Sequence, residues 1–432
     1  YLTEYDYKKL EDACKKAYAK FDGDPAPMVK LDENEFVLEL YHGPTHAFKD
    51  MALTVLPYLL KEGCSLNGVK ENVLILTATS GDTGKSALEG FRDNQGVKIM
   101  VFYPSEGVSA MQKLQMTTQL GDNVNVCAVK GNFDDCQSAV KRIFNDSKVR
   151  ADLKEKGYVF SSANSINFGR LAPQIAYYFS AYSDLAEVGE IEYGEKVNFC
   201  VPTGNFGNIL ACYYAMQMGL PVNKLICASN KNKVLTDFFN TGVYDIKREF
   251  YKTTSPSMDI LISSNLERLI FEISNRDSVL TASRMKDLVE KGSYSVSKKE
   301  LEDLNKIFYA GFATEEETVD TISDYFDELD YAVDTHTAVG LKVSGDFKEE
   351  FGEEQKVVCL STASPYKFPT DVLSAIKGKV VSDPFKASKT LSELTAMPIP
   401  ENLTNLTTAT IRFKTVVERE DILQEVIKFI QK

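Results

Sequence analysis

An α/β fold of open, largely parallel sheets with flanking helices is the class this sequence predicts, and three observations predict it. Short, continuous apolar runs of buried-strand type recur along the chain, as in Asn72-Val73-Leu74-Ile75-Leu76 and Val197-Asn198-Phe199-Cys200-Val201. Each is followed by a loop rich in glycine and small polar residues and then by a helical pattern, an alternation that demands crossover connections and parallel pairing. The 432 residues also exceed the size at which one core keeps growing, so two or three domains are expected.

Taken in order, residues 3–20 carry apolar positions at helical spacing, with Thr3 as the expected N-cap. The run 36–40 alternates like a strand, Gly43 and Pro44 break it, and residues 47–60 read as one apolar helix with Lys49 in its first turn. Strands follow at 72–76, 98–102 and 125–129, each leading to a helix: from about Lys85, from Ser109 to Leu120, and after Asn132. A second series begins after Gly194, with a strand at 197–201, a helix through Gln217 and a strand at 225–228. Residues 259–334 shift to long, charged, amphipathic helical stretches such as 298–308, which read as a helical insertion. A strand at 357–361 and an amphipathic helix over 421–432 close the chain. The expected organisation is an N-terminal part, 1–48, leading into a large domain; a smaller α/β domain, 49–190; a large α/β domain from 191–258 with 335–432; and the insertion at 259–334.

Composition narrows the function. With 49 Lys+Arg against 62 Asp+Glu the formal net charge is -13, which argues against nonspecific binding of nucleic acid or anionic membranes and leaves room for a local basic pocket for a small anion. No apolar run reaches membrane-spanning length and no secretory leader opens the chain, so a cytoplasmic location is expected. Eight cysteines without a Cys-x-x-Cys pair read as buried free thiols of a reducing compartment. The three histidines, His42, His46 and His336, are too scattered for a zinc site, and no metal is expected. Because the chain starts at Tyr1 rather than Met, an absent N-terminal part is also expected.

The chemistry is sought at the carboxyl ends of parallel strands, where loops lead into helices. Lys49, on a buried helix, is an unusual placement: an ammonium deprived of water gives up its proton more readily, and the neutral amine can attack an aldehyde. The competing reading is a lysine that snorkels outward, with Asp50 favourable near the helix dipole. Gly204-Asn205-Phe206-Gly207-Asn208 lies between a strand and a helix N-terminus, where amides can wrap a phosphate, or where glycine simply makes a tight turn. Thr79-Ser80-Gly81-Asp82-Thr83-Gly84-Lys85-Ser86 ends like a nucleotide P-loop but has Thr79 where that motif needs glycine. It remains a hydroxyl-rich helix start suited to a carboxylate or phosphate, or to capping. The stretch 161–170, dense in small polar residues before Arg170, reads as an oxyanion pocket or as a capped, solvated loop. Together these loops ask for a ligand with an aldehyde and a phosphate, plus an anionic second substrate, and pyridoxal 5'-phosphate is that ligand.

With those residues assembled, the sequence resembles the threonine synthase family, pyridoxal-phosphate enzymes of the tryptophan-synthase-β-like fold. The resemblance runs from about Phe36 to Phe368. It rests on His42-Gly43-Pro44-Thr45 with Phe48-Lys49-Asp50, Thr79 to Gly84, Asn164-Ser165-Ile166-Asn167 with Arg170, Thr203 to Asn208, Asp334-Thr335-His336-Thr337-Ala338-Val339-Gly340, and Ser361-Thr362-Ala363. It implies that Lys49 forms the Schiff base and shuttles protons, that Gly204, Asn205, Phe206 and Asn208 hold the cofactor phosphate, and that Thr362 faces the pyridine nitrogen. It further implies that Ser80, Asp82 and Thr83 face the substrate while Ser165, Asn167 and Arg170 grip its phosphate. The reaction implied converts O-phospho-L-homoserine and water into L-threonine and phosphate; a phospholyase that eliminates without hydration, or a serine or threonine dehydratase, is the alternative. Two departures stand out: the family's usual proline in Asp-Pro-His-Thr-Ala is Thr335, and a histidine common after Ser-Thr-Ala is Ser364. Members of the family usually also carry a further N-terminal segment.

Overall fold

The computed structural model describes residues 3–431 apart from residues 80, 107 and 132. Contacts divide the chain into two units, Tyr1–Pro25 with His42–Pro173 and Pro398–Lys432, and Ala26–Tyr41 with Gln174–Met397.

The first unit is built on a parallel five-stranded sheet in the order Val416–Val417, Val124–Val129, Val97–Pro104, Asn72–Ala78, Tyr158–Ser161. Successive side chains of a strand point to opposite faces, so a continuous apolar run supplies two cores at once. Val73 and Ile75 face Leu88, Phe91 and Met116, whereas Leu74 and Leu76 face Val140, Ile143 and, from the final helix Ile422–Gln431, Val426 and Phe429. The helix Asp82–Phe91 lies so close to the helix Asp50–Leu53 that a Cβ on Gly90 would come within 2.1 Å of the Leu53 carbonyl oxygen.

The second unit carries a six-stranded sheet in the order Met28–Asp32, Glu35–Glu39, Val357–Ser361, Val197–Pro202, Val222–Ser229, Phe308–Phe312, parallel except for its first pair. A two-stranded antiparallel ribbon joins Val243–Asp245 to Ser293–Ser295.

Four expectations differ from the structure. The first helix is Tyr7–Tyr18 and its cap is Asp6, whose carboxylate accepts from the Lys9 amide, rather than Thr3. The expected helix over 47–60 is two, Asp50–Leu53 and Leu56–Leu66, because Pro57 lacks an N–H and is accommodated only in a first turn; Lys49 is therefore the residue just before a short helix. The stretch 259–334 is not purely helical: it contributes Phe308–Phe312 to the main sheet, where Phe308 and Ala310 are buried. The C-terminal part from Pro398 joins the first unit, where the helix Ile422–Gln431 covers one face of that sheet.

In each sheet a run of strands moves outward and the next strand returns beside the first of the run. In the first unit it runs outward from Asn72–Ala78 through Val97–Pro104 and Val124–Val129, then returns on the other side with Tyr158–Ser161. In the second it runs from Val197–Pro202 through Val222–Ser229 to Phe308–Phe312 and returns with Val357–Ser361. Loops leaving the two strands at such a reversal part in opposite directions and leave a crevice at their carboxyl ends. The loops at these positions are 79–82 and 162–170 in the first unit, and 203–208 and 362–364 in the second.

Candidate active site

In the first unit the approach to Lys49 is stapled by a buried carboxylate. Asp50, with no exposed surface, accepts from the Thr45 amide (2.7 Å), the Thr45 hydroxyl (2.6 Å) and the Ser86 hydroxyl (2.6 Å). Asp50 thus holds the 43–50 turn to the helix Asp82–Phe91 rather than serving as a charge on a helix dipole. His46 adopts a left-handed backbone (φ 59°), and its ring Nε2 lies 2.7 Å from Asn402 Oδ1, while Asn402 donates to the Pro44 carbonyl at 2.7 Å.

Lys49 is aimed inward. Its side chain is only 10% exposed, its ammonium lies 3.6 Å from Asp82 Oδ2, and it sits 4.8 Å from the centre of the Phe48 ring. Asp82 is held in turn by Gln112, whose amide donates to Oδ1 at 3.0 Å. A buried amine next to one carboxylate is a group that can exchange protons or form a bond to an aldehyde without competition from bulk water.

Across the strand reversal, Arg170 is buried, donating to the Ala163 carbonyl at 3.1 Å and to the Thr83 hydroxyl at 3.4 Å. Burial pulls its guanidinium down to about 10, since the charged form loses hydration. An anion arriving beside it would restore what desolvation removes. Asn167, expected to grip a phosphate, instead uses both ends of its amide on its own loop: Oδ1 accepts from the Gly169 amide (2.9 Å) and Nδ2 donates to the Ser162 carbonyl (2.8 Å). It is the N-cap of the Phe168–Leu171 helix and shapes the loop. Asn164, which donates to the Ala78 carbonyl at 2.9 Å, ties that loop to the neighbouring strand end. Ser165 is half-buried in the same loop. Ser80 lies outside the described residues. The structure therefore brings Lys49 to Asp82 and Arg170 to Thr83 within one unit.

In the second unit the glycine turn has the form expected. Gly204 is required for close approach, because a Cβ there would meet the Ser257 carbonyl oxygen at 2.7 Å and the Met258 Cα at 3.2 Å. Asn205 is exposed, with its carbonyl bonded by the Asn265 side chain at 2.9 Å. Phe206 takes a left-handed conformation (φ 60°) at the N-cap of the helix Gly207–Gln217, and its ring is buried against Phe239 and Phe308. Only the Phe206 backbone is thus free to meet a ligand. Asn208 is oriented by Tyr177 and Tyr178, whose hydroxyls donate to its Oδ1, the latter at 2.7 Å. Its Nδ2 is buried with no hydrogen-bond partner among the described residues. Buried amide donors are almost always satisfied, so an orphan at a helix start, beside first-turn amides that have no intrahelical acceptor, fits a ligand oxygen. Thr362 is buried directly after the strand Val357–Ser361.

Taken unit by unit, the first offers a buried amine that suits a carbonyl, and the second a glycine turn with an unsatisfied amide that suits a phosphate. Sequence reasoning did not single out Gln112, Asn402, Tyr177 or Tyr178, and it read Ser86 only as the end of a P-loop-like run. Their only signal is polar side chains inside otherwise apolar helices, as with the paired tyrosines of the helix Gln174–Glu187.

Comparison with known proteins gives the family. Residues 22–363 match the pyridoxal-phosphate dependent enzyme family, and residues 337–430 match the threonine synthase C-terminal family. The chain is 42% identical to human threonine synthase-like 1 over 369 residues, 83% of this chain but 48% of that protein, so it spans about half the length of that relative. It is 40% identical to threonine synthase of Pseudomonas aeruginosa over 384 residues, covering 89% of this chain and 78% of that one. For threonine synthase of Saccharomyces cerevisiae the identity is 34%, covering 96% and 82%. The crystal structure of pyridoxal-phosphate-bound threonine synthase from Brucella melitensis superposes with a TM-score of 0.84 at 38% identity, covering 98% of this chain and 84% of that one. The chain therefore belongs to the pyridoxal-phosphate-dependent enzymes and, among them, to the threonine synthase family.

Proposed function

We propose that this chain converts O-phospho-L-homoserine and water into L-threonine and phosphate. The observation that carries the reading is Lys49, an amine 10% exposed and 3.6 Å from the Asp82 carboxylate, at the position where the family motif has its Schiff-base lysine. Family membership over most of the chain supports it.

Bound in the site, pyridoxal phosphate supplies an electron sink for the charge left when a proton departs from the carbon beside the substrate's amine. Lys49 would hold the cofactor's aldehyde and, as a free amine, carry protons to and from the substrate's carbons at its Nζ. Asp82, positioned by Gln112, keeps that amine in one orientation and balances its charge when protonated. Arg170, with Thr83 beside it, receives the substrate's phosphate and stabilises it as it leaves the γ carbon. Asn167 keeps the loop in the shape that presents Arg170, and Ser165 stands half-buried in the same loop. Gly204, Asn205, Phe206 and Asn208 receive the cofactor's phosphate through backbone amides and the Asn208 Nδ2, and Thr362 sets a neutral hydroxyl toward the pyridine nitrogen. No helix is long and apolar enough to cross a membrane among the described residues, and we place the reaction in the cytoplasm.

A second reading is elimination of phosphate without hydration, for which the same buried amine and the same buried guanidinium suffice. Product analysis separates the two. Incubation of the cofactor-loaded protein with O-phospho-L-homoserine is expected to yield threonine and phosphate in equal amounts; 2-oxobutyrate with phosphate would establish the alternative, and no phosphate release would remove both.

A further inference from the structure

The motif Asp334-Thr335-His336-Thr337 takes no part in the chemistry above, yet it is among the most buried polar clusters of the second unit, Asp334 and Thr337 having no exposed surface and His336 only 3%. We propose that Asp334 and His336 are positioning residues for the glycine turn, acting through Ser257 on Gly204, an inference that rests on the reading of that turn as the seat of the cofactor's phosphate.

The hydrogen bonds fix the ring's tautomer. The Ser257 backbone N–H donates to His336 Nε2 at 3.1 Å, and a backbone N–H has nothing to accept with, so Nε2 is the unprotonated nitrogen. The ring proton is then on Nδ1, which faces Asp334 Oδ2 at 2.7 Å. Asp334 cannot turn away: Oδ2 also accepts from the His336 amide at 2.9 Å, and Oδ1 accepts from the Thr337 amide at 3.1 Å and from its hydroxyl. The carboxylate thus caps the helix Thr335–Phe351 and orients the imidazole in one stroke.

What the imidazole holds is the short turn Pro256–Met258, the backbone against which Gly204 packs without room for a Cβ. The preceding residues are anchored by the same motif and by the neighbouring strand end. Thr335, where the family's usual residue is proline, donates its hydroxyl to the Thr254 carbonyl at 2.7 Å. Asn230 donates to the Ser255 hydroxyl at 3.0 Å and to Asp259 Oδ1 at 2.8 Å. Ser263 donates to the Gly204 carbonyl at 2.8 Å from beyond the turn. With Gly204 confined between Ser257 and Ser263, a shift of Ser257 is transmitted directly to the amides that follow Gly204. Losing the imidazole acceptor leaves the half-buried Ser257 N–H without its acceptor and gives the turn a reason to move.

The test compares pyridoxal phosphate with pyridoxal, which has the same aldehyde and no phosphate, by absorbance titration of cofactor-free protein. The parent is expected to bind pyridoxal phosphate far more tightly than pyridoxal. His336→Leu, which removes the acceptor, is expected to raise the Kd for pyridoxal phosphate about five- to fifty-fold while leaving that for pyridoxal within about twofold. His336→Gln, whose side-chain carbonyl can still accept from Ser257, is expected to recover most of the loss. Asp334→Asn is expected to resemble His336→Leu, because the new amide N–H2 must face a donor on one side or the other. Equal weakening of both ligands, or no change for pyridoxal phosphate, would overturn the proposal by making the cluster a scaffold only. Should His336→Leu not fold, Thr335→Pro carries the same comparison: proline is tolerated at a first helical position, and a loss of about two- to fivefold confined to pyridoxal phosphate is expected, parity overturning the proposal. A parent that does not distinguish the two ligands would instead remove the reading of the turn itself.

Discussion

The two units reverse their strand order in the same way and arm the reversal differently. In the first, the loops present groups that carry or exchange charge: Lys49, Asp82 and Arg170. In the second they present backbone amides, the Asn208 amide and the Thr362 hydroxyl, none of which titrates near neutrality. Under the proposed function, the difference amounts to a division of labour. A cofactor phosphate stays in place and keeps its charge, so it can be held by fixed dipoles. A substrate that loses protons and then phosphate needs partners whose own charge changes or compensates.

Substitutions that separate these roles sharpen the comparison. The largest effect is expected for Lys49→Ala, a fall in turnover on the order of a thousand-fold or more with loss of the chromophore that borohydride otherwise fixes on this residue. Mass spectrometry of the reduced protein checks it; label retained elsewhere at full yield would dismiss Lys49 as the reactive amine. Next comes Arg170→Ala, expected to raise the apparent KM for O-phospho-L-homoserine by about ten- to a hundred-fold, with cofactor affinity nearly constant. The reverse pattern would move the residue from the substrate's side to the cofactor's. Gly204→Ala is expected to weaken pyridoxal phosphate by about tenfold, because its methyl would stand 2.7 Å from the Ser257 oxygen and the turn must open. Equilibrium dialysis reads this directly, and an unchanged Kd would show that the turn yields without cost.

The smallest effect on catalysis is expected far from either loop, at the ion pair between Arg284 and Glu300. Burial pushes the Glu300 carboxyl up, but two hydrogen bonds from Arg284, at 2.9 and 2.6 Å, with those to Ser297, hold it down to about 2. An unfolded glutamate titrates near ~4.3, so the pair contributes stability above that pH and loses it as pH falls from there toward about 2. Glu300→Gln should lower stability at neutral pH by about 2 kcal/mol, less than a fully buried pair, and flatten the acid limb of the melting curve. Thermal melts from pH 5 to 2 check this, with kcat expected to be unaltered.

Much of this was legible in the sequence because parallel strands buried on both faces leave an unmistakable mark. The runs at 72–78, 97–104, 124–129, 197–202 and 357–361 were each found within a few residues. Phe308–Phe312 was not, since five residues ending in Gly-Phe after a charged helix carry little periodicity of their own and gain strand character only by pairing with Val222–Ser229. The boundary of the two units was also hidden, because the C-terminal helix packs on the strands Asn72–Ala78, Val97–Pro104 and Val124–Val129, and no local pattern encodes so distant a contact. At the site, glycine and hydroxyl density pointed to the right loops, but not to what each side chain does in them. Asn167 also caps a helix, which its expected role did not include, and Asp50, a charge near the helix dipole in the competing reading, is a buried staple.

The contact at Gly90 has a mechanical consequence. Where a hydrogen stands in place of a methyl group, the segment bearing the nucleophile and the segment bearing its counter-ion are in backbone contact, locked further by the Thr45, Asp50 and Ser86 bonds. No side-chain layer lies between them to slide. Lys49 and Asp82 are therefore held by one backbone joint, and the pair stays assembled however the loops around it shift.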